Sequence, residues 1–167
     1  MQRQFETMLV MGKLTAYSIL MNILIISPGK QKGYLGEDVV LEYTSRIGRY
    51  SSVEWKFIPA SDRTEEGDKI LKAIPAHSYV VILDEKGKQL TSPQFADFLN
   101  KRLNESVKNL VFVIGGAYGI DERVQASAQF SWSLSSLVFP HELVRSILSE
   151  QIYRGFTILK GEKYHHG

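Results

Sequence analysis

A glycine-rich turn follows one of the most apolar runs of the chain. Gly115-Gly116-Ala117-Tyr118-Gly119 comes directly after Leu110–Ile114, and glycines let backbone amides approach a ligand closely. The spacing is neither G-x-G-x-x-G, as in dinucleotide sites, nor that of a P-loop, because no Gly-Lys-Ser/Thr follows. The turn therefore favours a nucleoside without a phosphate chain, and a tight strand-to-helix turn is the alternative interpretation.

A second candidate is an irregular apolar run that ends at Pro140 and precedes His141. The run consists of Leu134, Ser135, Ser136, Leu137, Val138 and Phe139. We predict that its backbone donors and acceptors hold the edge of an adenine while Leu137 and Phe139 enclose the ring. The alternative is that its large apolar side chains are ordinary core residues.

Three of the four histidines, His141, His165 and His166, lie in the last part of the chain, among basic and acidic residues. Tyr164 can stack on an unpaired base, and nearby cations can reach phosphates. A solvated tail is the alternative interpretation. Adjacent histidines lack the spacing of metal ligands, so we predict no metal site.

The sequence contains no obvious catalytic nucleophile. It has no cysteine, which excludes thiol nucleophiles, thiolate zinc sites and iron–sulfur clusters. It also has no G-x-S-x-G elbow of a serine hydrolase. This favours chemistry in which a bound cofactor is already reactive. The lack of cysteine also fits a reducing compartment, so we predict a cytoplasmic protein.

From Met21 onward, the pattern predicts strands that alternate with helices. The strands are predicted at Asn22–Ser27, Val53–Phe57, Tyr79–Leu83, Leu110–Ile114 and Phe130–Leu134. The helices are predicted at Tyr34–Arg49, Asp62–Ile74, Ser92–Leu103, Asp121–Gln129 and Pro140–Leu159. This alternation predicts a single α/β domain with a mainly parallel sheet.

Several local features refine this prediction. Leu35, Val39, Tyr43 and Ile47 recur every four residues and predict the apolar stripe of the first helix. We expect a turn over Asp84–Gly87, an N-cap at Ser92 and an edge position for the strand that ends at Pro59. Ligands of parallel sheets bind beyond the carboxyl ends of the strands. We therefore expect three exit loops to lie together: Leu83–Glu85, Ile114–Gly119 and Leu134–Pro140. They leave what look like the three innermost strands.

The composition is that of an ordinary globular domain. The chain has 167 residues, of which 44% are hydrophobic and 23% charged, and its net charge is +2. A charge this small does not indicate a general nucleic-acid binder, and no apolar run is long enough for a membrane span. Glu6 and Lys13 interrupt any signal-peptide pattern in residues 1–20. We predict that residues 1–20 are an upstream extension, non-native or disordered, and that residues 21–167 form the domain.

Six motifs in collinear order resemble the RlmH family of the knotted SPOUT methyltransferases. They are Met21–Lys30 (M-N-I-L-I-I-S-P-G-K), Leu83–Leu90 (L-D-E-K-G-K-Q-L), Val113–Gly119 (V-I-G-G-A-Y-G), Ser131–Arg145 (S-W-S-L-S-S-L-V-F-P-H-E-L-V-R), Glu150–Gly155 (E-Q-I-Y-R-G) and the closing Y-H-H at Tyr164–His166. The resemblance covers the chain from Met21 to Gly167. The family tail commonly ends in Arg or Lys where this chain has His166, which weakens a phosphate contact there at neutral pH.

The resemblance implies a homodimer with a C-terminal trefoil knot, acting on N3 of a pseudouridine in helix 69 of 23S rRNA within the 70S ribosome. It implies S-adenosyl-methionine as cofactor, bound by Leu83, Gly115, Gly116 and the run Leu134, Ser135, Ser136, Leu137, Val138 and Phe139. As catalytic or RNA-positioning residues we predict Arg154 and Tyr164, with His165 as base or phosphate contact. His141 is a candidate proton acceptor, and its alternative role is to bind backbone or phosphate at the start of a helix.

The final helix fits a dimer because it is apolar on more than one face, which predicts one face on the sheet and another on a partner subunit. Two other functions stay open at this stage. The first is a small α/β oxidoreductase that binds a nicotinamide or flavin nucleotide. The second is a ribosome-binding factor that has kept the fold and lost activity.

Overall fold

The computed structural model describes residues 21–166, so the extension predicted over residues 1–20 and the terminal Gly167 lie outside it. The described strands are β1 (Asn22–Pro28), β2 (Ser52–Ile58), β3 (Tyr79–Gln89), β4 (Asn109–Ile114) and β5 (Phe130–Ser133). The described helices are α1 (Glu37–Ile47), α2 (Arg63–Ala73), α3 (Ser92–Asn104), α4 (Glu122–Ser127) and α5 (His141–Leu159). The predicted alternation of strands and helices is confirmed over this range.

The five strands form one parallel sheet in the order β2-β1-β4-β3-β5. The predicted single α/β domain with a parallel sheet is therefore confirmed, as is the edge position of β2. The prediction that β5 is an inner strand is wrong, because β5 has four residues and pairs only with β3. The inner strands are β1, β4 and β3.

Helices cover both faces of the sheet, which explains the continuous apolar runs of the inner strands. One core packs α1, α3 and α5 against side chains such as Ile25 of β1 and Phe112 of β4. The other packs α2 and α4 against Ile26 and Val113, which point to the opposite face. Phe95 of α3 stacks on Trp132 of β5 with ring centroids 4.2 Å apart, and this contact holds the short edge strand in place.

Helix α1 is shorter than predicted and its apolar face has a different phase. Gly33 and Gly36 both have positive φ, so the chain turns before the helix begins at Glu37. Leu35 therefore precedes the helix. Leu35 is 66% exposed and Val39 is 37% exposed, while Val40 is buried. The prediction that Leu35 and Val39 belong to the buried stripe is wrong, and only its later members, Tyr43 and Ile47, face the core.

Two predicted boundaries near β3 also change. No turn forms over Asp84–Gly87, because β3 continues to Gln89 through an irregularity and pairs again with Trp132 and Ser133. Polar, exposed residues hide this extension from a hydrophobic pattern. The N-cap of α3 is Thr91 rather than Ser92, since Thr91 and Gln94 form a reciprocal capping box.

A buried arginine connects helix α5 to the end of strand β1. Arg145 Nε donates to Ser27 Oγ (2.8 Å), Nη1 donates to the carbonyl of Lys30 (3.1 Å), and Nη2 donates to the carbonyl of Pro28. The guanidinium is fully buried and lies over the ring of Tyr34 (4.5 Å to the centroid). Burial lowers the pKa of Arg145, while the hydrogen bonds to the Ser27 hydroxyl and to the two carbonyls stabilise its charged form.

We expect Arg145→Met to lower the free energy of unfolding by about 3 kcal/mol, because it leaves buried acceptors without donors. Urea denaturation measures this difference. Arg49→Met is the matched control, since Arg49 is exposed and the same change there should cost less than about 0.5 kcal/mol. Equal effects of the two substitutions would contradict a structural role for the buried hydrogen bonds.

Candidate functional site

A cleft of about 550 Å³ lies beside the irregular point of β3 and at the carboxyl ends of β4 and β5. Its size is within the range of sites for small molecules. The structure brings together nearly all residues predicted to bind the cofactor, and those that line the cleft are Leu83, Gly115, Gly116, Leu134, Ser135, Leu137, Val138 and Phe139. Ser136 lies in the same loop but is not among the residues that line the cleft.

The glycine turn forms one wall of the cleft and has a closed, narrow geometry. The amide of Gly119 donates to the carbonyl of Gly116 (3.1 Å), and Gly119 has a φ of 78°. A side chain at Gly116 would meet the carboxylate of Glu66, since its Cβ would lie 2.9 Å from Oε1. Gly116 is therefore constrained by the close approach of α2 behind the turn.

Helix α2 supports the glycine turn through residues that sequence analysis missed. Arg63 donates from Nε (3.0 Å) and Nη2 (2.7 Å) to the carbonyl of Ile120, and it also lines the cleft. Glu66 is buried and accepts a hydrogen bond from the amide of Ser61 (3.0 Å). No local pattern signals these roles, because α2 and the turn are about fifty residues apart in sequence.

The loop from Leu134 to Pro140 forms the opposite wall. Ser133 Oγ donates to the carbonyl of Ser135 (2.8 Å), and Ser135 Oγ accepts from the amide of Leu137 (3.0 Å). Leu137 is 66% exposed and Val138 is 80% exposed. The alternative that these two side chains are ordinary core residues is therefore wrong, and both present apolar surface at the cleft.

His141 opens helix α5 at the cleft. It lines the cleft together with Pro140 and Val144. A Cβ atom at Gly29, where φ is 106°, would lie 3.1 Å from Nε2 of His141, so the loop after β1 passes close to the ring. The histidine is thus the one predicted catalytic residue that the described structure places beside the predicted cofactor residues.

The other three predicted catalytic residues meet in a separate cluster, which we call the tail cluster: Glu150, Arg154, Tyr164 and His165. Arg154 donates to Glu150 Oε1 from Nε (2.9 Å) and Nη2 (2.6 Å), and Tyr164 Oη donates to the same oxygen (3.0 Å). The guanidinium of Arg154 lies over the Tyr164 ring, 4.7 Å from its centroid. Tyr43 of α1 bonds the Tyr164 hydroxyl (2.9 Å) and so holds the tail against α1.

The tail cluster determines the hydrogen-bonding state of His165. Arg154 Nη1 lies 3.3 Å from Nδ1 of His165. Because a guanidinium carries only donors, Nδ1 is the acceptor when this hydrogen bond forms, which leaves Nε2 to donate to another group. In this arrangement His165 offers a hydrogen-bond donor rather than a free base.

Glu150 is the residue of this cluster that sequence analysis missed. It lies four residues before Arg154 on the same helix, a spacing that brings side chains together, so the sequence did contain a signal. Its hydrogen bonds raise the pKa of Arg154. Burial, followed by the hydrogen bonds to Tyr43 and Glu150, raises the pKa of Tyr164.

Helix α5 separates the cleft from the tail cluster of the same chain. Val144 is the last residue of α5 that lines the cleft, and Arg154 lies ten residues further on, about 15 Å along the helix axis. A single subunit therefore carries its two sets of predicted site residues at different places.

The chain matches the family model described as "Predicted SPOUT methyltransferase" over residues 21–165. It belongs to the SPOUT methyltransferase family. The chain is 39% identical to "Ribosomal RNA large subunit methyltransferase H" of Christiangramia forsetii, over 87% of this chain and 99% of that protein. It is 45% identical to the protein of the same name from Geotalea daltonii over 75% and 86% of the two chains, and 41% identical to that of Parabacteroides distasonis over 87% and 99%.

Membership of a SPOUT methyltransferase family confirms the resemblance that the motifs predicted, and it implies a methyl donor. Within residues 21–166, no group of three or more His, Asp or Glu side chains could hold a metal ion. The helices of this SPOUT domain, as far as the structure describes them, include none long and apolar enough to cross a membrane.

The raised pKa of Tyr164 predicts a specific pH dependence of stability. Above about pH 10 the unfolded chain ionises this tyrosine while the folded chain keeps it neutral, so folded stability falls as pH rises. Tyr164→Phe removes this contribution. We expect the stability advantage of wild type over Tyr164→Phe to shrink between pH 9 and about pH 11.

Urea denaturation at several pH values measures this difference in stability. Tyr118→Phe is the control, because Tyr118 is 72% exposed and its removal should leave the pH dependence unchanged. A constant difference between wild type and Tyr164→Phe over this pH range would contradict the burial and the hydrogen bonds assigned to Tyr164.

Proposed function

We propose that this protein transfers a methyl group from S-adenosyl-methionine to N3 of a pseudouridine in helix 69 of 23S rRNA, in the assembled 70S ribosome. The observation that carries the proposal is the cleft beside the irregular point of β3 and the carboxyl ends of β4 and β5, in a chain of the SPOUT methyltransferase family. The names of the relatives support a large-subunit rRNA substrate. The choice of nucleotide and of the 70S particle rests on the motif resemblance.

The residues of the cleft fit the cofactor. The glycine turn and the Leu134–Phe139 loop offer backbone donors and acceptors for an adenosine, and Leu137 and Val138 offer exposed apolar surface. Leu83, at the irregular point of β3, contributes to the same cleft. When bound, S-adenosyl-methionine supplies an electrophilic methyl group on a sulfonium, so the protein needs no nucleophile of its own.

The residues of this chain then have to orient the nucleotide and accept one proton. N3 of pseudouridine is a weakly acidic imide nitrogen that attacks after losing its proton, and positioning alone supplies roughly 7–11 kcal/mol of such a barrier. His141 is the proposed proton acceptor because it lines the cleft. Arg154, Tyr164 and His165 are the proposed RNA-positioning groups, His165 as a donor from Nε2.

A homodimer would bring together the cleft residues and the tail cluster, which lie apart within one chain. Exposed apolar side chains just before α1 (Leu35), on α1 (Val39) and on α5 (Leu143) offer a surface suited to a second copy. We propose that the dimer brings the tail cluster of one subunit to the cleft of its partner, and that the C-terminal part of each chain forms the family's trefoil knot. We further propose that residues 21–167 form the SPOUT methyltransferase domain and that the protein acts in the cytoplasm with ribosomes.

The first experiment measures transfer of labelled methyl from S-adenosyl-methionine to 70S ribosomes that lack the modification. We expect label on 70S ribosomes and much less on isolated 50S subunits, because shape recognition of an assembled surface supplements the small net charge.

Each outcome of this experiment decides between functions. Equal labelling of 50S subunits would contradict the 70S substrate. No label on either particle, with S-adenosyl-methionine still bound, would favour the non-catalytic ribosome-binding factor. If the protein bound no S-adenosyl-methionine, the cofactor assignment would be wrong.

The dimer proposal predicts complementation between two inactive variants. Gly116→Val places a side chain into the Glu66 carboxylate and should distort the glycine turn enough to abolish cofactor binding. Arg154→Ala removes a positioning group and should lower activity about a hundredfold. Mixed dimers combine one intact cleft with one intact tail cluster. After equal mixing under conditions that exchange subunits, we expect about a quarter of wild-type activity, since half of the dimers hold one complete site.

The control for complementation mixes Arg154→Ala with Tyr164→Phe. Both substitutions damage the tail cluster, so mixed dimers contain no complete site and activity should not recover. Recovery in this control, or none in the first mixture when both variants are folded and exchange subunits, would contradict a site shared between subunits.

A further inference from the structure

Two lysines that belong to neither the cleft nor the tail cluster lie on the loop that leaves β1. This loop, Gly29–Gly36, is called the β1 loop here, and its Lys30 and Lys32 are both exposed. Strand β1 is hydrogen-bonded to β4, whose carboxyl end forms the glycine turn of the cleft. Lys30 directly follows Gly29, the residue that approaches His141. The β1 loop therefore begins beside His141 at the edge of the cleft, and both lysines lie on this loop.

The β1 loop has a fixed path rather than that of a free surface segment. Arg145 donates hydrogen bonds to the carbonyls of Pro28 and Lys30, so it holds the backbone on both sides of Gly29. Gly29 has a φ of 106°, and a Cβ there would lie 2.9 Å from Nη2 of Arg145. Because these contacts come from the first turns of α5, the loop is positioned relative to the helix that carries His141.

Two acidic residues, Glu37 and Glu142, accept hydrogen bonds from the backbone of the β1 loop. Glu37 Oε2 accepts from the amide of Gly33 (2.7 Å), and Glu142 Oε2 accepts from the amide of Leu35 (3.3 Å). Over residues 21–166, neither Lys30 nor Lys32 takes part in an ion pair. In contrast, Arg154 of the tail cluster is paired with Glu150.

We propose that Lys30 and Lys32 form a binding site for the sugar–phosphate backbone of the RNA, beside the nucleotide that enters the cleft. The site rests on the proposed function, since it serves the same substrate. Exposed ammonium groups bind phosphates as point charges and add affinity without base specificity. A chain whose net charge is only +2 needs such cations near the reacting nucleotide.

The test compares methyl transfer to unmodified 70S ribosomes by wild type and by Lys30→Gln/Lys32→Gln. We expect KM for ribosomes to rise about tenfold and kcat to change less than about twofold, because the lysines bind RNA and do not touch the reacting atoms. The plot of log KM against log salt should become shallower by about 1.5, the contribution of two phosphate contacts.

Lys72→Gln/Lys108→Gln is the matched control. Both residues are exposed, and they lie near the end of α2 and just before β4, at the amino edge of the sheet. This control makes the same change in net charge at the far side of the molecule, and its KM should stay near that of wild type. Lys30→Arg/Lys32→Arg keeps the charge and should retain the wild-type KM and salt dependence.

The outcomes separate this inference from the function on which it rests. If wild type transfers no methyl group, the proposed function and the lysine site both fail. If wild type is active and the two Gln pairs change KM equally, or neither changes it, the lysine site alone is wrong. Melting temperatures and S-adenosyl-methionine affinities of all variants should match wild type, and a loss of either in Lys30→Gln/Lys32→Gln would also overturn a purely RNA-binding role.

Discussion

A charged guanidinium that is removed from water must find hydrogen-bond acceptors inside the protein, since the cost of leaving it unpaired is several kcal/mol. At Arg145 these acceptors are the Ser27 hydroxyl and the carbonyls of Pro28 and Lys30, all at the end of β1. The start of α5 is thereby fixed against the carboxyl edge of the sheet. The cleft, His141 and the β1 loop all take their relative positions from this contact.

Helix α5 then acts as a rigid spacer. His141 opens it at the cleft, and Arg154 lies thirteen residues later, about 20 Å along the axis. Buried side chains such as Leu148, Ile152 and Phe156 hold the helix against the sheet, so bending it to join the two sets of residues would disrupt the core. The helix that carries residues of both sets also keeps the two sets apart within one chain, and this separation is the physical argument for the proposed dimer.

The sequence predicted those parts of the molecule that depend on local chemistry. Apolar runs such as Leu110–Ile114 identify inner strands, and the geometry of parallel sheets places their exit loops at one edge, so most of the cleft could be predicted. Other features depend on contacts between residues that are distant in sequence. Glu66 lies behind Gly116 only because α2 packs there, and Tyr43 meets Tyr164 across 121 positions. The buried face of α1 was predicted wrongly for a local reason, because the turns at Gly33 and Gly36 delay the start of the helix.

Pairing with Glu150 changes what Arg154 can contribute. The pair is close to neutral overall and therefore attracts phosphate weakly, but it holds the guanidinium in a defined plane over Tyr164. A guanidinium has five N–H groups, and the hydrogen bonds to Glu150 and His165 use three of them. The other two can donate to RNA without breaking the pair. In the proposed function the tail cluster therefore supplies orientation, and attraction for the RNA backbone has to come from cations without a carboxylate partner.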